Sequence, residues 1–212
     1  MMQNIHFKAP NCWINDPNGF IWYKGQYHLF YQCFPYAPQW GRMHWGHAVS
    51  KDLVNWEEKG IALYPTKTDD RSGCFSGSAV EQDGTMYLYY TGVNYLEEDP
   101  ENINHCRNDQ FLSAQMMISS ADGMTFDNLQ EKKTIIPTIA EDKIGSKTHT
   151  RDPKVWRGTD AWYMVLGSSV AHKGRLLIYQ SRDLQNWKYL SHVEKDNFGW
   201  MWECPDYFEV DG

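Results

Sequence analysis

One signature, Ser-x-Asp-x-x-x-aromatic, occurs three times in this chain, at residues 50–56, 120–126 and 181–187. The serines lie 70 and 61 residues apart, and each copy closes a similar run of short segments. Every run has a polar opening, a short strand, a glycine-containing turn, an aromatic strand and a third strand. Block one opens at Asp16-Pro17-Asn18-Gly19, has a short strand over 20–23, turns at Lys24-Gly25 and continues through 27–32 and 45–49. Block two opens at 75–79, turns at Asp83-Gly84 and runs through 86–92 and 115–119, with an insertion rich in Asn and Glu between them. Block three opens at Arg151-Asp152-Pro153, turns near Gly158-Thr159 and continues through 162–167 and 176–180. A fourth opening, 203–210, reaches Asp211-Gly212 at the same turn position.

Short strands repeated with glycine turns predict an all-β propeller, whose blades are small antiparallel sheets around an axis. No long amphipathic helix pattern interrupts them. A β-sandwich is the alternative, but it leaves the unusual polar openings unexplained. Residues 1–12 read as an extended lead-in. The chain supplies about three blades and the first strand of a fourth. An open propeller has unpaired edges, so the expectation is a portion of a longer chain, or self-association through the open edge.

In a propeller the innermost strands run along the central channel, so successive openings converge on one end of it. That predicts Asp16, Ser76, Asp152 and Glu203 side by side. Pro17 fixes its own φ and biases Asp16 towards extended backbone, and Asn18-Gly19 is a turn signal; Asp16 is expected at a rigid strand start beside a tight turn. Two carboxylates about 5–5.5 Å apart are the apparatus for retaining cleavage of a glycosidic bond. Glu203 follows Gly199-Trp200-Met201-Trp202, an apolar setting suited to a protonated acid, whereas Arg151 is expected to keep Asp152 ionised. Against this stands the plainer expectation that Asp-Pro pairs start turns and most acidic residues are solvated. Three carboxylates at equivalent repeat positions favour a site.

Other chemistries are poorly supplied. His44 and His47 lack a third ligand at metal spacing, no Gly-x-Ser-x-Gly elbow accompanies Ser76 or Ser78, and phosphate loops are absent. Cys204 beside Glu203 reads as packing, with modulation of the acid as the alternative. The net charge of -7 without a basic stripe argues against nucleic acid. Five cysteines without a Cys-x-x-Cys pair argue against a disulfide framework or zinc. No signal-peptide pattern and no membrane-spanning apolar run occur, so the expected setting is cytoplasmic.

Four motifs in order resemble a known family: Trp-Ile-Asn-Asp-Pro-Asn-Gly at 13–19, Phe-Ser-Gly-Ser at 75–78, Arg-Asp-Pro at 151–153 and Glu-Cys-Pro at 203–205. They are similar to the signatures of the β-fructofuranosidases of glycoside hydrolase family 32, which include invertases, sucrose-6-phosphate hydrolases and fructanases. The likeness extends over essentially all 212 residues. It implies a five-bladed propeller followed by a β-sandwich, with this chain as the N-terminal portion of the propeller and the later blades and sandwich outside it. It implies Asp16 as nucleophile, Glu203 as acid/base and Asp152 as a transition-state stabiliser, with Arg151 beside it. Trp13, Asn15, Gln32, Trp40, Phe75 and Ser76 would line the fructosyl subsite. The implied substrate is sucrose, sucrose 6-phosphate or a small fructan, with no metal or organic cofactor. Fructosyl transfer at the same site and a non-catalytic fructoside-binding fragment remain the alternatives.

Overall fold

The computed structural model describes residues 7–8 and 12–210. Its strands are β1 (Trp13–Tyr23), β2 (Gln26–Phe34), β3 (His44–Ser50), β4 (Trp56–Leu63), β5 (Gly73–Gln82), β6 (Thr85–Tyr95), β7 (Phe111–Ser120), β8 (Lys133–Ile136), β9 (Thr150–Arg157), β10 (Trp162–Val170), β11 (Lys173–Ser181) and β12 (Lys188–Glu194). They form three four-stranded antiparallel sheets, β1 to β4, β5 to β8 and β9 to β12, each in sequence order. The architecture is all-β, and the sheets follow one another as propeller blades do. Strand β5 touches β1 on one side and β9 on the other, so the first strand of each sheet lies innermost.

Local chemistry accounts for the hairpins. Lys24-Gly25 and Asp83-Gly84 take positive φ at both turn residues, the two-residue geometry that matches strand twist. Ala171-His172 does the same between β10 and β11 without a glycine, so the sequence pattern did not announce it. The repeated signature is a side-chain-stapled turn. Asp52 Oδ1 accepts the amides of Val54 and Asn55, Asp122 Oδ1 those of Met124 and Thr125, and Asp183 Oδ1 those of Gln185 and Asn186. Backbone amides hold all three carboxyls well below the usual carboxylate range, helped at Asp183 first by the Asn186 side chain.

Each turn leads into a fourth strand, β4, β8 or β12, which the three-strand grammar of the sequence omitted. These outer strands are short or largely exposed, so they carry little of the apolar alternation that reveals a strand. The middle sheet is buried on both faces. Tyr90 and Met116 pack towards Phe30, Trp45 and Leu63 of the first sheet, while Tyr89 and Met117 pack towards Met164, Leu166 and Leu177 of the third. Successive residues face opposite sides because the side-chain period of a strand is two. A buried ion pair, Lys132 Nζ to Asp70 Oδ2 at 2.6 Å, ties the connection between β4 and β5 to the segment before β8. The Thr66 and Lys67 amides donate to Asp70 Oδ1 and the Tyr90 hydroxyl to Oδ2, which offsets the desolvation of the pair.

Three expectations are corrected. Asn18-Gly19 is not a turn beside a strand start: β1 runs unbroken from Trp13 to Tyr23 and absorbs the motif as irregularities between Ile14 and Pro17 and between Asn18 and Ile21. Gly19, at φ 52°, supplies the backbone freedom for this. The first block's opening strand is therefore longer than 20–23. Residues 203–210 do not form the first strand of a fourth blade. A strand is held by a hydrogen-bonded neighbour, and no described residue supplies one there. The Asp211-Gly212 turn and most of the lead-in over 1–12 fall outside the described residues.

Buried Ser78 crosses the seam between the second and third sheets. Its hydroxyl donates to the Pro153 carbonyl at 2.7 Å and accepts the Val155 amide at 3.0 Å. Ser78→Ala leaves both backbone groups without this partner, and urea denaturation should show a loss of about 1–3 kcal/mol.

Candidate active site

The innermost strands place the predicted residues at one end of the sheets. A cleft of about 690 Å³ there is lined by Asp16 from β1, Ser76 from β5, Arg151 and Asp152 from β9, and Glu203 from the segment after β12. Asn15, Gln32, Trp40 and Phe75 also reach it. Trp13 is not among its lining residues. Its indole N–H donates to Asn15 Oδ1 at 2.9 Å, and the Asn15 amide donates to Gln32 Oε1 at 3.3 Å. Trp13 is thus tied to the cleft wall through Asn15. Trp40 meets Phe75 edge-on at 6.0 Å and leans on His105 at 5.2 Å, giving the cleft an aromatic side.

The three carboxylates sit in different surroundings. Ser76 Oγ donates to Asp16 Oδ2 at 2.5 Å, a bond between β1 and β5 that orients the carboxylate. Asp152 is only 6% exposed and adopts φ 65°, at an irregularity in the β9–β10 pairing. Its amide donates to Thr91 Oγ1, and its Oδ2 accepts the Cys204 amide at 2.9 Å. Burial pushes its pKa up to about 6, although the Cys204 amide and Arg151 pull the other way. Glu203 is open to solvent, with 62% of its side chain exposed, and takes Arg151 Nη2 on Oε1 at 2.6 Å.

These positions reverse the electrostatic expectation. Arg151 hydrogen-bonds Glu203, and its pull towards an ionised Asp152 is outweighed by burial. Nor does the run of aromatics before Glu203 bury it: Trp200 and Phe198 are themselves exposed. The turn that carries Glu203 lies on β10 instead. A Cβ on Gly167 would stand 1.9 Å from the Trp202 carbonyl oxygen, so glycine permits that close approach. Cys204 lies between two carboxylates, its Sγ 3.7 Å from Asp16 Oδ2 and its amide on Asp152. Burial first, and then those carboxylates, push its thiol well above the usual range.

Several cleft residues had no signal in the sequence pattern. Tyr95, His105, Cys106, Asp109 and Phe111 come from the insertion between β6 and β7 and its flanks, where the repeat pattern is simply interrupted. His149 and Trp200 precede Arg151 and Glu203 closely, and that adjacency was the one available clue. His47, weighed as a metal ligand, is buried and stacked on Phe30 and His28. Among the described residues no three His, Cys, Asp or Glu side chains converge as metal ligands, and no helix is long and apolar enough to cross a membrane.

Three carboxylates gathered in an aromatic-walled cleft at one end of consecutive antiparallel sheets mark an all-β protein with a carboxylate-rich site. The chain belongs to glycosyl hydrolases family 32, whose N-terminal domain model matches residues 6–212. It is 41% identical over 220 residues to a sucrose-6-phosphate hydrolase of Zymomonas mobilis, covering 97% of this chain and 40% of that protein. It is 40% identical to a sucrose-6-phosphate hydrolase of Escherichia coli, covering 98% of this chain and 41% of that protein. Among solved structures, a beta-fructofuranosidase of Bombyx mori superposes with a TM-score of 0.83 at 41% identity, covering 98% of this chain and 41% of that one. A mutant of the same Bombyx mori enzyme is in complex with sucrose. The chain thus spans about two fifths of the length of these relatives.

The raised pKa of Asp152 has a consequence for stability. The folded chain keeps a proton on Asp152 up to about pH 6, whereas the unfolded chain releases it near 3.8. Between those values the folded state binds more protons, so this group's contribution to stability falls as pH rises through the window. Asp152→Asn should therefore raise stability above pH 6 by on the order of 1–3 kcal/mol, with the gain disappearing below pH 4. Urea midpoints of the two chains across pH 3.5–7.5 test it.

Proposed function

We propose that this chain is the N-terminal portion of the catalytic domain of a retaining β-fructofuranosidase that cleaves terminal β-fructofuranosyl bonds of sucrose, sucrose 6-phosphate or small fructans. The observation that carries the reading is the convergence of Asp16, Asp152 and Glu203 on one cleft from three separate parts of the chain. The named activities of the relatives and the sucrose bound to the Bombyx mori mutant point the same way. In this reading the complete domain is a five-bladed propeller followed by a β-sandwich. The described blades contribute most of the fructosyl-binding wall. The enzyme acts in the cytoplasm, and the open edge of these three sheets is covered by later blades or by a second copy.

The roles follow from the surroundings. An Asp16 oxygen attacks the anomeric carbon of the fructosyl unit. The Ser76 hydroxyl on Oδ2 fixes the carboxylate and leaves its second oxygen to form the bond. Glu203 gives its proton to the leaving glycosidic oxygen as that bond breaks, which releases the glucosyl part as an alcohol. A water then loses a proton to Glu203 and attacks the same carbon, breaking the bond to Asp16 and freeing fructose. Two displacements at one carbon retain its configuration. Asp152, ionised above about pH 6, accepts fructose hydroxyls and strengthens those bonds as positive charge develops on the ring. Arg151 must be shared between Glu203 and the incoming sugar. Trp40 and Phe75 offer the apolar surface against which the ring lies.

In the full-length protein, Asp16→Asn should bind sucrose with little change and lose turnover by more than about 10³-fold. Glu203→Gln should cost about 10²–10⁴-fold on sucrose and much less on an aryl β-fructofuranoside, whose phenolate departs without protonation. Fructose release measured with both substrates checks the assignment. Normal sucrose hydrolysis by Asp16→Asn would show that the nucleophile lies elsewhere.

A further inference from the structure

Glu203 poses a physical problem for the mechanism above. It sits on a segment without regular secondary structure, and among the described residues its side chain has one polar partner. A free glutamate there samples many rotamers, yet proton transfer to a leaving oxygen needs one orientation. The contact that restrains it is Arg151, and Arg151 is itself a long side chain with several rotatable bonds.

What fixes Arg151 is a chain of polar contacts leading away from the carboxylates. Arg151 Nη1 lies 3.4 Å from His149 Nδ1, and His149 Nε2 lies 2.9 Å from Asp109 Oδ2. The direction of every bond is forced. A guanidinium only donates, so His149 Nδ1 must be the acceptor; the imidazole proton then sits on Nε2 and is donated to the Asp109 carboxylate. A neutral imidazole meets both demands at once, and burial, the largest influence, lowers the pKa of this ring. The ring plane is set as well. His149 meets Phe111 edge-on at 5.7 Å and Trp200 edge-on at 5.2 Å. Asp109 is held from its own side. It ends a short turn, Arg107–Asp109, whose Arg107 pairs with Glu97 across the base of the insertion.

We propose that Asp109 and His149 are positioning residues for the acid/base: through Arg151 they orient Glu203, so that the insertion between β6 and β7 governs protonation of the leaving group. Neither residue needs to touch the reacting atoms. The logic is that of a base and its orienting carboxylate, carried one residue further through a guanidinium. The proposal rests on the reading of Glu203 as the acid/base, and the experiment separates the two.

The test compares His149→Phe, His149→Asn and Asp109→Asn in the full-length protein, on sucrose and on an aryl β-fructofuranoside. Asn at 149 restores an acceptor near the position of Nδ1, whereas Phe keeps only the ring. His149→Phe should lower kcat on sucrose by about 10-fold or more and affect the aryl fructoside several-fold less, because only the former needs protonation. His149→Asn should recover part of that loss. Asp109→Asn, at an exposed site, should show the same substrate split in milder form, with an unchanged melting temperature. Equal losses on both substrates, or sucrose turnover at the wild-type level in folded His149→Phe, would overturn the proposal. If the wild-type protein hydrolyses neither substrate, the functional assignment itself fails.

Discussion

The structure depends on polar bonds that stitch the innermost strands together. Ser76 reaches from β5 to Asp16 on β1, Ser78 from β5 to the backbone of β9, and the Asp152 amide on β9 reaches Thr91 on β6. Apolar packing between sheets is non-directional and tolerates small rotations of one sheet over another. Hydrogen bonds between buried groups do not, because a misplaced partner leaves an unsatisfied donor or acceptor. The seam thus sets the angle between blades, and the same bonds aim the carboxylates. Fold and site share one set of contacts.

That sharing has an energetic cost that falls on Asp152. A carboxylate in near-complete burial, on left-handed backbone, is a poor choice for stability. It is held there by the Cys204 amide, which fixes the Glu203-bearing segment against β9. Asp16, by contrast, is oriented by a hydroxyl, and Glu203 by a guanidinium. Three carboxylates of similar intrinsic acidity are differentiated by what surrounds them, and the proposed roles of nucleophile, hydroxyl acceptor and proton donor rest on that difference.

The blade pattern was legible because it is local. Positive-φ turns, aromatic alternation and the stapled Asp turns act within a few residues, and the openings at Asp16, Ser76 and Asp152 fell where the repeat predicted. The outer strands β4, β8 and β12 were not visible, since they are short or too exposed to carry an apolar period. The segment 203–210 occupies a strand position in the repeat and is no strand, because pairing belongs to a neighbour and not to the segment. The Asn18-Gly19 turn signal was real backbone chemistry spent on a bulge within β1 rather than on a reversal.

The sequence by itself determined the repeat, the all-β class and the residue types gathered at the block openings; the four ordered motifs carried the family resemblance. Only the tertiary structure decided which charges face one another. Arg151 sits next to Asp152 in the chain yet pairs with Glu203, 52 residues away, and Asp109 comes from the insertion between β6 and β7 to meet His149. Chain adjacency says little about such pairings, because successive side chains on a strand point to opposite faces. What a side chain meets is set by the neighbouring sheet and by the loops above it, so the electrostatics of the cleft exist only once the sheets are stacked.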